Sequence, residues 1–179
     1  MDILKFYVKL AVIRIRALLL WCVPVMPNRD GWEQRILFIN LDFIGDLVMC
    51  TAVMRHYRRA YPGKKLFLLM NGAIGMDPLL MGDHVDKVLP MDVEGFKSNP
   101  FYGRALVAKL RRIGFRTVIE HNPAMEFAGR TIAVELGADA VIGYEGLALD
   151  REMPPGMNAK LGTEYFDRVL SKKFTKIVP

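Results

Sequence analysis

Cysteine is scarce in this chain and poorly placed for chemistry. Only Cys22 and Cys50 occur, far apart, with neither metal-ligand spacing nor a disulfide framework. That argues against a metal centre and a stapled extracellular scaffold, suits a reducing compartment, and leaves both thiols as small apolar fillers. There is no internal repeat, no low-complexity segment and no Gly-x-Gly-x-x-Gly fingerprint. Long uncharged runs are missing as well. Lys5, Lys9, Arg14 and Arg16 interrupt the apolar stretch from Ile3 to Val25, so nothing approaches the roughly eighteen residues of a spanning helix. Acidic residues are the minority sign, 19 against 25 basic, giving a net charge of +6 and a pI near 9.4. Anionic partners are therefore favoured. With no aromatic RNA-binding signature, zinc-finger spacing or long basic run, nucleic acid is not among those expected.

What is present is ordinary globular material. A composition of 52% hydrophobic and 25% charged residues over 179 positions supports one domain with a sizeable core. From Arg35 onward, short apolar runs alternate with helical patterns, the signature of a parallel sheet covered by helices on both faces. The strands expected are Ile36 to Asn40, Leu66 to Met70, Lys87 to Leu89, Thr117 to Glu120 and Ala140 to Ile142. Helices are expected over Asp46 to Tyr61, Phe101 to Ile113 and Met125 to Leu136, with a short turn at Pro78 to Met81. A last amphipathic helix is expected over Ala159 to Ser171.

Residues 1–27 read as a separate element. At about 100° per residue, Lys5, Lys9 and Arg16 fall within roughly 40° of one another, with Arg14 on the other side. Such a helix suits the plane of an anionic membrane surface, its cations meeting headgroups while Phe6, Leu10, Ile13, Leu18 and Trp21 enter the acyl boundary. The competing reading is a helix packed on its own domain or on a partner chain. A signal peptide fits less well, because the charges run through the segment and no small-residue cleavage site follows. Residues 28–34 form a linker and 35–179 the Rossmann-like domain.

Open parallel sheets bind ligands beyond the carboxyl ends of their strands. Three loops meet that description: Asn40 to Asp46, Met70 to Gly75 and Glu120 to Asn122. Candidate contacts there are Asn40, Asp42, Gly45, Asn71, Gly72, His121 and Asn122, with Arg130 in the following helix placed to meet a phosphate. Each has a plainer alternative: an N-cap for Asp42 or Asp46, a simple turn at Asn71-Gly72, a capped polar loop at His121-Asn122, a solvated cation at Arg130.

The stretch Ile36-Leu37-Phe38-Ile39-Asn40-Leu41-Asp42-Phe43-Ile44-Gly45-Asp46, continued through a helix with a basic end to Tyr61-Pro62, resembles the first strand and helix of family 9 glycosyltransferases, the bacterial heptosyltransferases of lipopolysaccharide assembly. Asp86-Lys87-Val88-Leu89-Pro90 and Phe115-Arg116-Thr117-Val118-Ile119-Glu120 are similar, less specifically, to that family's third and fourth strands. The resemblance implies the N-terminal, acceptor-binding half of a GT-B fold, with no donor-binding half in these 179 residues. It implies that Asp46 is the base activating an acceptor hydroxyl, that no metal or cofactor is needed, and that the donor is a nucleotide-sugar. The expected partners are an anionic membrane surface, a phosphorylated glycolipid or glycan acceptor, and a separate donor domain, at the cytoplasmic face of the bacterial inner membrane and peripheral to it. The alternative is a non-catalytic, membrane-associated glycan-binding module.

Overall fold

The computed structural model describes residues 3–22, 25–41, 44–74, 82–120, 127–144 and 174–178. Six parallel strands form one sheet: β1 (Arg35–Asn40), β2 (Lys65–Asn71), β3 (Lys87–Met91), β4 (Thr117–Glu120), β5 (Ala140–Tyr144) and β6 (Phe174–Val178), in the order β3-β2-β1-β4-β5-β6. Central strands covered on both faces must be apolar along their whole length. Leu37, Phe38 and Ile39 of β1 and Leu66, Leu68 and Leu69 of β2 are accordingly buried without alternation.

The two faces carry separate cores. Under α2 (Ile44–Ala60), Ile36, Phe38, Leu66, Leu68 and Ile119 meet Leu47, Cys50 and Met54. The opposite face sets Leu37, Ile39, Leu69 and Val118 against α3 (Val93–Ser98), α4 (Pro100–Ile113) and α5 (Phe127–Glu135). Cys50 is a buried filler, as expected, whereas Cys22 is exposed. The α4 boundaries follow from local chemistry. Asn99 Oδ1 accepts the Phe101 and Tyr102 N–H groups at 3.0 and 3.2 Å, Pro100 occupies the first turn where no N–H is needed, and Gly114 closes the helix at φ +75°. A Cβ on Gly114 would overlap the Asn28 carbonyl, so this glycine is needed both for its backbone and for the close passage of the linker.

The expected strands are found with ends shifted by up to two residues, and the helices of α2, α4 and α5 recur. Two elements were not expected, the six-residue α3 capped by Asp92 and the edge strand β6. The expected helix 159–171 and the turn 78–81 lie outside the described residues.

The largest departure concerns α1 (Ile3–Cys22). Arg16, expected on a solvated cationic face, is 1% exposed. It lies over the Phe96 ring with its guanidinium carbon 4.1 Å from the centroid, and its Nε and Nη2 each donate to Glu135 Oε1 at 3.2 Å. Gly103 makes the room, because a Cβ there would stand 2.8 Å from Arg16 Cδ. Arg14, expected on the apolar side, is exposed. The Arg16 face is thus turned to the domain, with Val12 buried beside it. Further along, Arg104 Nε donates to the Leu19 carbonyl at 3.4 Å, and Arg111 donates from Nη1 to Val25 O at 3.1 Å and from Nε to Glu135 O at 2.7 Å. These contacts run in step, so α1 lies beside α4 in the same direction.

Burial pushes the Glu135 carboxyl above the usual carboxylate range, while the neighbouring Arg16 and Arg111 charges pull it back. A carboxyl raised in the folded state adds stability below its unfolded pKa and loses that contribution as pH rises through the folded value. Arg16→Ala removes the larger counter-charge and raises the folded value further. The substitution is expected to cost roughly 3 kcal/mol or more near neutral pH, as for a broken buried pair. The gap from the unchanged chain should be wider at pH 8 than at pH 5 in urea unfolding.

Candidate functional site

The strand order reverses direction between β1 and β4. The chain leaves β1 through α2 on one face and leaves β4 toward α5 on the other, so the two connections part and open a crevice at the sheet's carboxyl edge.

On the α2 side, Asn40 ends β1 opposite Met70 and is buried. Alternation along the strand sets it on the same face as Ile36 and Phe38. Gly45 is exposed in the first turn of α2, with open space where a Cβ would lie. The helix begins at Ile44, two residues earlier than expected, which makes Asp46 its third residue rather than its cap. That position lies among the first N–H groups, which lack intrahelical acceptors, at the positive end of the dipole. The Asp46 side chain lies outside the described residues, as do Asp42, His121 and Asn122 entirely.

On the α5 side, Glu120 ends β4 level with Ile39 and is 1% exposed. A Cβ on Gly129 would stand 3.3 Å from Ile39 Cγ2 and 3.4 Å from Glu120 Oε1, so a glycine there lets α5 approach this carboxylate closely. Arg130 follows, half-buried in the first turn of α5, with buried Thr131 beside it. Burial pushes the Arg130 guanidinium pKa down, and the Glu120 charge opposes that shift. Arg130 is therefore not the solvated surface cation of the plainer reading. Sequence reasoning passed over Glu120 as a site residue; the available signal was a carboxylate ending the apolar run Thr117-Val118-Ile119.

The third loop is different. Asn71 Oδ1 accepts the Ala73 N–H at 3.0 Å, and a Cβ on Gly72 would stand 3.2 Å from the Met91 carbonyl oxygen. Asn71 and Gly72 thus serve a capped turn and a tight packing contact with β3. The described residues therefore fall into two groups at one edge: Asn40, Gly45 and the Asp46 backbone position under α2, and Glu120 with Arg130 under α5. Among the described residues no cluster of three potential metal-binding side chains occurs.

No family model matches the sequence, and no curated protein matches it either. Similarity is found in structure. The family 9 glycosyl transferase from Veillonella parvula superposes with a TM-score of 0.56 at 14% identity, over 81% of this chain and 45% of that one. The E. coli heptosyltransferase WaaC, solved with ADP, superposes with a TM-score of 0.50 at 16% identity, over 81% of this chain and 49% of that one. The fold is that of a Rossmann-like portion of a GT-B glycosyltransferase. The chain spans about half the length of the solved structures it matches.

If Glu120 offsets the half-buried Arg130, Glu120→Gln is expected to destabilise by about 1–3 kcal/mol. Combined with Arg130→Met, the loss should be less than the sum of the two single changes by on the order of 1 kcal/mol. Additive urea midpoints across that cycle would show that the two side chains are independent.

Proposed function

We propose that this chain is the acceptor-side half of a heptosyltransferase-like, inverting glycosyltransferase. It would pass a sugar from a nucleotide-sugar to a lipopolysaccharide-type or related glycan acceptor at the cytoplasmic face of the bacterial inner membrane. The observation that carries this is the β1–turn–α2 unit. It stands at the strand-order reversal, with Asp46 in the first helical turn, in a fold shared with family 9 glycosyltransferase structures.

In this reading the Asp46 carboxylate takes the proton of an acceptor hydroxyl as its oxygen attacks the anomeric carbon. The nucleoside diphosphate leaves from the opposite side, so configuration inverts. The positive end of α2 favours the ionised carboxylate that a base must be. Arg130, beside Glu120 on the α5 side of the crevice, suits an acceptor phosphate. The two helices lie on opposite faces of the sheet, so one acceptor meeting both must reach across the sheet's carboxyl edge. That favours a phosphorylated oligosaccharide or glycolipid over a free monosaccharide.

Because the chain spans about half of the matched structures, transfer belongs to a unit completed by a donor-binding half, in cis or in trans. The 179 residues alone are expected not to turn over nucleotide-sugar, since much of a transferase's rate comes from positioning. Sugar transfer by the purified chain at the rate of an intact enzyme would overturn this.

Asp46→Asn tests the base. Asparagine keeps the size and polarity of the side chain and gives up the charge that the helix dipole favours, so stability should change by less than about 1 kcal/mol. In the completed unit, turnover should fall by about 10² or more with acceptor binding retained. Asp42→Asn, in the same loop, serves as the control. Near-normal turnover of the Asp46→Asn unit would remove the assignment. Acceptor binding without turnover, in the unsubstituted unit, would leave the non-catalytic glycan-binding reading.

A further inference from the structure

Docking α1 through Val12 and Arg16 leaves its other side uncovered. Tyr7, Val8, Ile15 and Leu18 are 56%, 52%, 46% and 57% exposed, and Ala11 is exposed among them. At about 100° per residue these five positions fall within an arc of roughly 100°, with exposed Arg14 at its margin. They form a continuous apolar stripe along a helix of 20 residues, and no described helix is long and apolar enough to cross a membrane. We infer that this stripe is a docking surface for an anionic lipid bilayer, with α1 lying in the plane of the headgroups.

Charge decides the occupant. From Ile3 to Arg29 the sequence has no acidic residue, while Lys5, Lys9, Arg14, Arg16 and Arg29 are basic. Arg16 is neutralised within the domain by Glu135, whereas Arg14 is exposed. A second copy of the chain would bring two such helices together with no acidic residue of α1 to offset them, and like charges across an interface are disfavoured. An anionic headgroup layer supplies the missing sign, and an exposed apolar stripe with a cation at its margin is what a monotopic helix presents. The stripe is not the one that periodicity alone selects, because burial of Val12 and Arg16 turns that side inward and leaves Tyr7, Val8 and Ile15 outside. The run of contacts from Arg16–Phe96 through Leu19–Arg104 to Val25–Arg111 fixes the direction. The first half of α1 points toward the sheet edge that carries the candidate site, so a bilayer under α1 lies near the mouth of the crevice. This extends the proposed location but is read by lipid binding alone, so failed docking leaves the transferase reading standing, and failed turnover leaves docking standing.

Deleting α1 is a poor test, because Val12 and Arg16 belong to the core. Two exposed stripe residues can be changed instead. The full chain is expected to float with vesicles of phosphatidylglycerol and phosphatidylethanolamine, and on the order of tenfold or more less with phosphatidylcholine vesicles. Ile15→Glu/Leu18→Glu should reduce binding to the anionic vesicles by at least about tenfold, with an unchanged circular dichroism spectrum and melting temperature. Flotation of the double variant equal to that of the unsubstituted chain would overturn the proposal. So would a chain that ignores the vesicles and instead forms a dimer in light scattering that the double variant loses, since the stripe would then be a self-association surface.

Discussion

Parallel strands cannot be joined by hairpins, so every connection in this domain crosses a face of the sheet and both faces are consumed by helices. Strand interiors are left with no outlet to water, and the sheet's polar chemistry is pushed to its ends. The buried polar residues of the strands, Asn40 and Glu120, are the last residues of β1 and β4. They are the two strands between which the order reverses. The same constraint that makes β1 apolar from Ile36 to Ile39 therefore delivers a polar side chain to each lip of the crevice, one facing α2 and one facing α5.

A second constraint acts on the outer layer. α1 is held by a side chain that would ordinarily stay in water, and removing a guanidinium from solvent is offset only when its surroundings are arranged for it. Here Phe96 offers a ring face, Gly103 offers space and Glu135 offers charge. Those groups come from α3, α4 and α5, so a single buried cation ties the N-terminal helix to three others. Such a pair adds little over a well-packed apolar alternative. It does favour one rotation of α1 about its axis, the one that brings the Arg16 guanidinium to that ring, space and charge. Rotation decides which side chains are left outside.

The elements legible in sequence were those whose signal is local. Continuous apolar runs marked β1, β2 and β4, and the helical pattern from Phe101 to Ile113 marked α4, whose ends the structure assigns to Asn99, Pro100 and Gly114. α3 escaped because six residues are too few for periodicity to register; its cue was the cap Asp92, whose Oδ1 accepts the Gly95 N–H at 2.9 Å. The face of α1 was misread for a different reason. Amphipathic reasoning assumes that charge seeks water, whereas the partner that overrides this, Glu135, lies 119 residues further along the chain. At the site, topology placed Asn40 and Glu120 at the carboxyl edge of the sheet. It could not tell that Asn71 is engaged in its own turn, or that Arg130 faces a buried carboxylate, because both depend on contacts between elements.

That difference bears on how the crevice works. Asp46 stands near the start of a helix whose opening turn is exposed at Gly45, and nothing crowds that glycine. Arg130 is half-buried, is partly offset by Glu120, and sits where Gly129 brings its helix against the sheet. The α2 lip carries an acidic residue by sequence, and the α5 lip sets a half-buried cation beside a buried carboxylate. A cation set back in the wall is partly ordered before an anion arrives, whereas the opening turn of α2 is exposed at Gly45. In the proposed transferase, an acceptor bearing both a phosphate and a free hydroxyl would meet Arg130 at the α5 lip and Asp46 at the α2 lip. The sheet edge between them sets the distance at which the two ends of that acceptor must lie.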